Sequence, residues 1–486
     1  MAHPIVDALL NHVRSSVYPM HVPGHKQGRG SDTIAAAVIP QYFYKIDLTE
    51  IPGLDDLYEP TGCIREAQAE AASLFGADRT FFLVNGSTVG IEAAILATCG
   101  PGSKIAVSGV VHQSVVAGIA LAGSELVRME TMVSSRFLMP LGVDAAEVER
   151  CLACEDGIAA VLVTNPSYYG VCQDLRAIAD ACHNHGAIFI VDEAHGAHLK
   201  FSEELPPSAL DSGADIVVQS GHKTLGAVTQ TALLHIKGTR VEPERVAASI
   251  RMLQTSSPSY VLMASLDSVL HRLSIEGEEL VARAVSSARF ARDALNRLPI
   301  DVLSPEDLDP VFSLDATRLT LSAANLGILG PELENRLRAR GYQMEFSDLL
   351  SSIAVITYAD SVSDLEGFCR AVEDALGNSA PDSSVSRLRK RIYPKLTEAL
   401  AKKPEFALTV RDAVFSDKTF VDLEASVGRI AGECVSPYPP GIPLLYPGQV
   451  ITRDDVDLVG EFLDLGIRFH GIAMEDGKYL CSVVDD

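Results

Sequence analysis

The sequence predicts an α/β protein with a large N-terminal unit built on a mainly parallel sheet, followed by two smaller units. Three observations predict this fold class. Short apolar runs alternate with amphipathic helices between residues 60 and 240, polar residues follow the ends of those runs, and the pattern changes near residues 299 and 377. Such alternation is typical of a parallel sheet that helices cover on both faces. A chain of 486 residues is also too long for a single core.

The elements of the first unit are predicted from apolar runs bounded by turn residues. Helices are expected at 90–98 and 175–183, where the apolar residues recur at helical spacing. The predicted strands are 80–84, 104–108, 159–164, 187–191 and 215–218. Ligands of open α/β sheets bind at the carboxyl ends of the strands, so the residues that follow these runs are the candidate site.

Two changes of pattern divide the chain further. We expect residues 1–298 to form an N-terminal arm and the large unit. A smaller α+β unit is expected over 299–376, with strands 311–314, 342–346 and 353–358 around the helix 331–340. Residues 377–387 are rich in Ser, Pro and Asp and are predicted to be a linker, which leaves 388–486 as a C-terminal unit.

Composition narrows the class of protein. Hydrophobic residues make up 47% of the chain, but no apolar run approaches the roughly 20 residues of a membrane helix. The N-terminal residues do not resemble a secretory signal, so we expect a cytoplasmic protein. A net charge of −24 disfavours nucleic acid as a partner. The pair Cys151 and Cys154 has no second ligand pair nearby, so no metal site is expected.

Two sequence features suggest where an anionic ligand and a cation bind. Ser87 and Thr88 lie at the start of a predicted helix directly after a strand, where free N–H groups favour a phosphate, although a simple N-cap has the same appearance. Asp192 ends a strand that is apolar throughout. A buried carboxylate is costly without a positively charged or donating partner, so Asp192 is expected to have one.

A lysine in a small turn is the third feature. Lys223 follows Ser220 and His222 after the apolar run that ends near residue 218. A lysine that loses part of its hydration has a lowered pKa and becomes a usable nucleophile, whereas an ordinary turn lysine stays solvated. Pyridoxal 5'-phosphate needs all three features together: a phosphate site, a lysine for its aldehyde and a carboxylate for its ring nitrogen.

Two further residues suit the ring of this cofactor. His112 follows another strand and could stack on one face of the ring. The small side chain of Ala194 would let the ring lie flat against the sheet. The candidate site therefore lies at the ends of several neighbouring strands, as is expected of a sheet of this class.

Several longer motifs resemble one family in the same order along the chain. They lie at 20–26, 48–57, 60–62, 165–170, 191–198, 219–225, 229–230, 256–260 and 438–441. From about residue 15 to 460 the chain resembles the ornithine/lysine/arginine decarboxylases. The resemblance implies a fold-type-I enzyme dependent on pyridoxal phosphate, in the short bacterial form without a receiver-like N-terminal wing domain.

The resemblance also implies roles for individual residues. Lys223 matches the Schiff-base lysine, Asp192 the partner of the pyridine nitrogen and His112 the ring-stacking histidine. The remaining predicted cofactor-binding residues are Ser87, Thr88, Ala194, His195, Ser220, His222 and Ser257. Ser257 matches a phosphate ligand from a neighbouring subunit. A homodimer or larger homo-oligomer with active sites at its interface is therefore expected.

The implied reaction is decarboxylation of a basic L-amino acid, with arginine or lysine preferred over ornithine. Asp55, Asp56 and Glu59 are the candidates for binding the basic end of the substrate, although a solvated acidic loop would look the same. The chain departs from the family pattern at three places. Gly109-Val110 replaces Arg-Asn before the stacking histidine, Gly221 replaces a threonine, and Gln449 replaces a glutamate.

Three alternatives stay open at the level of sequence. The same cofactor could support transamination or cleavage of another Cα bond, because the bond aligned with the ring's π-system determines the reaction. A metal-dependent hydrolase could use Glu193, His195 and His198, but their spacing is not that of HExxH. A binding or regulatory protein could keep the fold without catalysis. The intact set Lys223, Asp192 and His112 argues against that last class.

Overall fold

The computed structural model describes residues 2–15 and 17–485, with the side chains of residues 35 and 36 excepted. The predicted ranges 1–298 and 388–486 therefore include residues 1, 16 and 486, which lie outside the described residues. In the large unit the helices are α1 (Pro4–Arg14), α2 (Thr33–Val38), α3 (Gln41–Ile46), α4 (Cys63–Phe75), α5 (Gly86–Thr98), α6 (Gln113–Ala122), α7 (Ala145–Cys154), α8 (Leu175–Asn184), α9 (Gly221–Thr224), α10 (Pro243–Leu253) and α11 (Tyr260–Leu295). The strands are β1 (Arg79–Leu83), β2 (Lys104–Val107), β3 (Glu125–Arg128), β4 (Met132–Val133), β5 (Pro140–Gly142), β6 (Ile158–Thr164), β7 (Val171–Gln173), β8 (Ile188–Asp192), β9 (Ile216–Ser220) and β10 (Ala232–Ile236).

The central sheet of the described chain has seven strands in the order β1-β10-β9-β8-β6-β2-β3. Neighbours from β3 to β9 pair in parallel, whereas β10 runs antiparallel to both β9 and β1. The predicted mainly parallel sheet is confirmed. The antiparallel strand β10 was not predicted, because its apolar run follows the Lys223 turn without a helix between them.

The sheet is buried on both faces, which explains why its strands are continuous apolar runs. In β6, Val161 and Val163 pack into one hydrophobic cluster with α4, α8 and α11. Ala160 and Leu162 point to the opposite face and pack with α5 and α6. All four side chains are fully buried. Side chains alternate between faces along a strand, so two apolar faces require apolar residues at every position.

Two smaller units follow the large one. The first contains strands β11 (Asp301–Val302), β12 (Phe312–Leu314), β13 (Arg318–Ser322), β14 (Phe346–Ser347) and β15 (Ser352–Val355), with helices α12 (Gly330–Arg338) and α13 (Val362–Leu376). The C-terminal unit contains α14 (Ser384–Ala401), α15 (Val410–Phe415) and α16 (Arg453–Asp464), with strands β16 (Lys418–Asp422), β17 (Ser436–Pro437), β18 (Phe469–His470), β19 (Ile472–Glu475) and β20 (Lys478–Val484).

Three sequence predictions need correction in these smaller units. Helix α14 begins at Ser384, inside the predicted linker 377–387, because Val385 packs into the C-terminal core. The predicted strand 342–346 reduces to β14, since the chain leaves the turn after α12 only at Phe346. Strand β13 was missed. The remaining boundaries between units stay predictions.

Helix α11 connects the large unit to the first small one. It spans 36 residues, and its N-terminal part places Tyr260 and Met263 in the core of the large unit. Near its other end, Ala288 and Leu295 pack in the core of the small unit. Despite this length, none of the helices in the described residues is apolar enough to cross a membrane.

Candidate active site

The residues predicted to form the site lie along one edge of the central sheet. Strands β8 and β9 are parallel, and they end at Asp192 and Ser220. Strand β1 pairs antiparallel with β10, which pairs antiparallel with β9, so β1 ends at the same edge. Helix α5 starts there with Gly86. The sheet therefore brings together side chains that are more than a hundred residues apart in sequence.

The start of α5 has the properties of an anion site. The Oγ atoms of Ser87 and Ser220 lie 3.1 Å apart. Asn85 precedes the helix but makes no side-chain capping bond, so the first N–H groups of α5 lack the usual side-chain acceptor. Gly86 adopts a positive φ of 78°, which turns the backbone into the helix without a Cβ clash. Thr88 is exposed on the same turn.

Lys223 lies on the short helix α9, beside His195, which follows the end of the neighbouring strand β8. Its Nζ is 2.9 Å from Nε2 of His195. Burial lowers the pKa of the Lys223 amine, the carboxylate of Asp192 raises it, and Arg318 lowers it further, so the net effect is a lowered pKa. This is the environment expected of a nucleophilic lysine.

Asp192 is a buried carboxylate with little compensation from the protein. Its side chain is 4% exposed, and its Oδ1 accepts one hydrogen bond of 3.1 Å from the N–H of Ala194. Burial raises the pKa of Asp192, while Lys223 and His112 act in the opposite direction. A buried carboxylate that is so incompletely satisfied fits a positively charged ligand atom such as a protonated ring nitrogen.

Two histidines flank these groups. His112 caps α6, where its Nδ1 accepts a 3.1 Å hydrogen bond from the N–H of Ser114, and its side chain is exposed. His222 is partly buried, with Nδ1 3.2 Å from the carbonyl of Thr231. Although part of His112 is exposed, desolvation by the surrounding protein lowers the pKa of both imidazoles. Neutral, flat rings beside Lys223 fit an aromatic cofactor, so the whole donor set suits pyridoxal phosphate.

Among the described residues, Ser257, Asp56 and Glu59 make no hydrogen bond to Lys223, Asp192 or His112. Ser257 is exposed, and its N–H donates to Oγ1 of Thr255 at 3.3 Å. Its role as a phosphate ligand for a neighbouring subunit stays a prediction. Asp56 and Glu59 are exposed, and Oδ1 of Asp56 accepts from the N–H of Tyr58 at 2.8 Å. Substrate binding by these two acids stays a prediction.

For Asp55 the prediction needs correction. The residue is 6% exposed, and its oxygens accept backbone hydrogen bonds of 2.8 to 3.3 Å. The donors are the N–H groups of Asp56, Thr61, Gly62, Ile64 and Arg65. Although burial alone would raise the pKa of Asp55, these bonds lower it overall. The carboxylate is thus occupied at the N-terminus of α4, where it stabilises the helix.

The departures from the family pattern have local physical reasons. A Cβ at Gly109 would come within 2.6 Å of Oγ1 of Thr131, which accepts a hydrogen bond from the Gly109 N–H. A Cβ at Gly221 would come within 2.9 Å of Oγ1 of Thr231. Gln449 is buried and closes its own turn by accepting from the N–H of Tyr446. At both glycines a neighbouring threonine occupies the space of a side chain.

The residues of the alternative metal site are separated by their partners. Glu193 accepts hydrogen bonds from the side chain of Gln219 and the N–H of Ala209. His195 faces Lys223, whereas Nε2 of His198 lies 3.2 Å from Asp315. The described residues contain no group of three or more His, Cys, Asp or Glu arranged to hold a metal ion.

The sequence reasoning missed Arg318, which reaches the site from β13. This side chain is fully buried, and its Nη2 is 3.0 Å from Nδ1 of His195. It also missed Tyr168, whose ring meets His195 edge to face with 5.2 Å between centroids. Tyr168 lies in a motif that was noted, 165–170, but a buried arginine in a short strand gives no comparable signal.

Comparisons with known proteins agree with this arrangement. The model of the Orn/Lys/Arg decarboxylase major domain matches residues 3–319, and the model of the C-terminal domain of the same family matches residues 386–484. The chain belongs to the Orn/Lys/Arg decarboxylase family. The predictions of a pyridoxal phosphate cofactor and of a decarboxylase acting on basic amino acids are thereby confirmed.

The decarboxylase resembles characterised relatives along nearly its whole length. It is 35% identical to an arginine decarboxylase of Bacillus anthracis over 96% of this chain and 94% of that protein. It is 34% identical to an arginine decarboxylase of Bacillus subtilis, over 96% and 95% of the two chains. The crystal structure of a Francisella novicida lysine decarboxylase superposes with a TM-score of 0.84 at 18% identity, over 99% of this chain and 81% of that one. The predicted fold-type-I architecture is confirmed.

Proposed function

We propose that this decarboxylase converts L-arginine to agmatine and carbon dioxide. The observation that carries the proposal is the roughly even match to two arginine decarboxylases, 35% and 34% identical over almost the full length of each. A lysine decarboxylase of Pseudomonas aeruginosa is 24% identical over 98% of this chain and 78% of that protein. Arginine is therefore preferred over lysine and ornithine.

Each residue of the cluster at the sheet edge has a proposed task. When bound, pyridoxal phosphate supplies an electron sink for the pair of electrons released with carbon dioxide. Lys223 provides the amine that holds the cofactor, and its Nζ lies 2.9 Å from Nε2 of His195. Asp192 keeps a proton on the ring nitrogen, because a buried carboxylate with one hydrogen bond favours a positive neighbour.

The remaining residues position and cover the ligand. The start of α5, with Ser87, Thr88 and Ser220, binds the phosphate through hydroxyls and free N–H groups. His112 and Ala194 would hold the ring of the cofactor between them, as the family resemblance implies. Burial of the site also favours loss of the substrate's carboxylate charge.

We propose that the decarboxylase acts as a homodimer or larger homo-oligomer, with Ser257 binding the phosphate in the partner's site. The N-terminal arm supports this, because its large hydrophobic side chains face outward. They are Val17, Tyr18, Met20, Val22, Ile34, Val38, Tyr42 and Phe43. An apolar surface of this kind is typical of a protein interface.

We also propose a cytoplasmic location. The nine cysteines are free thiols, and several of them, including Cys172 and Cys182, are buried in the core. Reduced, unpaired cysteines are expected of proteins in a reducing compartment. Detection of the protein in the cytosolic fraction of its native cell, rather than in a secreted fraction, would test this.

The substrate experiment uses the purified holoenzyme with L-arginine, L-lysine or L-ornithine in separate reactions. Carbon dioxide release and the amine product are followed by mass spectrometry. We expect agmatine to form, with a kcat/KM for L-arginine at least about ten-fold above the values for L-lysine and L-ornithine. The reason is that a planar guanidinium and an ammonium need different binding partners. Preferential formation of cadaverine or putrescine would reject the choice of arginine, and a keto acid product would reject decarboxylation.

A further inference from the structure

Three nitrogen-bearing side chains lie in a row that ends at the reactive amine of Lys223. Nη2 of Arg318 is 3.0 Å from Nδ1 of His195 and also donates to the His195 carbonyl at 3.3 Å. On the other side of the ring, Nε2 of His195 is 2.9 Å from Nζ of Lys223. Arg318 is 1% and His195 5% exposed, so bulk water competes little for these contacts.

The hydrogen-bonding capacities of these groups leave few proton arrangements. An arginine in a protein stays protonated and can only donate, so Nδ1 of His195 must accept from Arg318. The ring proton of a neutral imidazole is then on Nε2, and it points at Lys223. A protonated lysine also can only donate, so it would oppose this N–H. A neutral amine accepts it.

We propose that Arg318 is a positioning residue that fixes the tautomer of His195 and so holds Lys223 as a neutral amine. The inference rests on the proposed role of Lys223 as the amine that takes up the cofactor. It adds to that role a reason why the amine is nucleophilic before the cofactor arrives. Arg318 contacts Nδ1 of His195 while Lys223 contacts Nε2 on the other side of the ring, so Arg318 acts on the amine through His195.

Charges around the row act in both directions. Asp192 and Glu345 raise the pKa of Lys223, whereas Arg318 and burial lower it. His195 is faced by Lys223, Arg318, His112 and His222, all of which lower its pKa together with burial. A protonated His195 is therefore disfavoured on every side, which agrees with the neutral tautomer that the hydrogen bonds require.

The fold keeps Arg318 in place at a cost that packing alone does not explain. Its Nε and Nη1 are buried without a hydrogen-bond partner among the described residues. A nearby carboxylate, Asp315, provides the opposite charge. Burial would raise the pKa of Asp315, but His198, and after it Arg318, lower it to about 2. Gly170, with a φ of 88°, leaves room for the arginine, since a Cβ there would come within 2.6 Å of the Arg318 Cβ.

The first measurement reads the tautomer directly in the cofactor-free protein. Histidine labelled with ¹⁵N is incorporated, and the ring-nitrogen shifts of His195 are assigned through their loss in His195→Gln. We expect a neutral ring protonated on Nε2. A ring protonated on Nδ1, or an imidazolium, overturns the inference in the wild-type protein without any variant of Arg318.

The second measurement follows the amine. The cofactor-free protein is acetylated with limiting acetic anhydride between about pH 6 and 10, and labelling of Lys223 is quantified by mass spectrometry. In Arg318→Met, His195 can turn its lone pair to the lysine, which then stays protonated. We expect labelling of Lys223 about ten-fold slower near pH 7.5 than in the wild type, which corresponds to about one pKa unit. Arg318→Lys keeps a donor and a charge and should recover part of the rate.

A matched control separates this effect from loss of a buried charge. Arg128 is also buried, at 5% exposed, but it donates to the carbonyls of Ala399 and Lys402, far along the chain from the site. Arg128→Met should leave Lys223 labelling unchanged. Equal rates in Arg318→Met and wild type, or equal slowing in Arg128→Met, overturn the inference. Both measurements need no substrate, so a failed decarboxylation assay would reject the proposed function without touching this result.

Discussion

Asp192 and Glu193 are neighbouring buried acids with opposite surroundings. Asp192 accepts one backbone hydrogen bond and lies among Lys223 and His112. Glu193 accepts from the N–H of Ala209 at 2.7 Å and from Nε2 of Gln219 at 2.6 Å. Burial raises the pKa of both acids, that of Glu193 to about 8. Asp192 thus has unused hydrogen-bonding capacity, whereas both oxygens of Glu193 accept hydrogen bonds from neighbouring segments of the protein.

The network of Glu193 continues through the strands. Oε1 of Gln219 lies 3.1 Å from Nε2 of His235, whose Nδ1 is 2.7 Å from the hydroxyl of Thr80. Because Gln219 uses its oxygen here, His235 donates from Nε2 and accepts at Nδ1. The chain of bonds links four neighbouring elements of the sheet without reaching the cofactor cluster. A buried polar group with a structural role has its hydrogen bonds satisfied by the protein, whereas one that binds a ligand keeps hydrogen-bonding capacity for that ligand.

The largest expected effect is a loss of kcat on substitution of Lys223, which lies beside Asp192 in the cofactor cluster. Lys223→Ala should lower kcat by about four orders of magnitude or more, because the amine that holds the cofactor is lost. Covalent attachment of the cofactor, followed by its visible absorbance, should disappear as well. Lys237→Ala is the control, since Lys237 bonds the carbonyl of Leu210 outside the cluster. Normal turnover in Lys223→Ala would remove the lysine from the mechanism.

The same change in the two neighbouring acids should separate their roles. Asp192→Asn should lower kcat by about 10²- to 10³-fold while the fold and the bound cofactor persist, because an amide cannot stabilise the charge on the ring nitrogen. In Glu193→Gln, kcat per folded molecule should change by less than about three-fold. Steady-state kinetics on both variants makes the comparison. Equal losses of kcat would mean that the two acids do not differ in function.

Stability should respond in the opposite order. Glu193→Gln presents an N–H₂ group to one of two donors, Gln219 or Ala209, so a buried donor loses its acceptor. We expect the free energy of unfolding to fall by about 1–3 kcal/mol, measured with urea on the cofactor-free protein. Asp192→Asn should change it by less than about 1 kcal/mol or increase it, because it removes an incompletely satisfied buried charge. A larger loss in Asp192→Asn would reverse the comparison.

The last expected effect is a pH dependence, which is small within any one pH unit. The pKa of Glu193 is about 8 in the folded protein and close to its ordinary value when unfolded. Between about pH 4 and 8 the folded state therefore holds a proton that the unfolded state has lost, so this group makes stability fall as pH rises through that window. Its slope is at most about 1.4 kcal/mol per pH unit. Unfolding at several pH values should show a flatter profile in Glu193→Gln, and identical profiles would contradict the assignment.

Local patterns were sufficient to predict five of the seven strands of the central sheet in the described chain, whereas β3 and β10 were missed. The strands β1, β2, β6, β8 and β9 are mostly apolar, with polar residues mainly at their ends, because both faces of the sheet are covered. Residues directly after those runs then had to meet at one edge, which is why Lys223, Asp192 and Ser87 were found together. Here the sequence signal and the physical cause are the same. Strand β10 was not predicted, because the local sequence before it does not distinguish an antiparallel hairpin from a parallel crossover.

Residues whose surroundings come from distant segments could not be predicted. Asp55 looked like a free acid in a loop, but the N–H groups that occupy it depend on how the chain turns into α4. Arg318 begins β13, a strand that was not predicted, so nothing in the sequence marked its side chain as buried. Its burial depends on Asp315 nearby and on His195, more than a hundred residues earlier. Pairings of that kind are set by tertiary structure, which composition and periodicity do not encode.

The antiparallel course of β10 has a consequence for how the reactive turn tolerates change. Parallel neighbours need a long crossover, but β9 and β10 are joined by the short segment from Gly221 to Thr231. The turn that carries Lys223 is thus pinned at both ends by sheet hydrogen bonds, and Ser220 is paired directly with Ala232. The length of this segment therefore determines where the Lys223 amine lies. Insertions that a surface loop would absorb should displace Lys223 from its neighbours, so this hairpin is a poor place for loop grafting or tags.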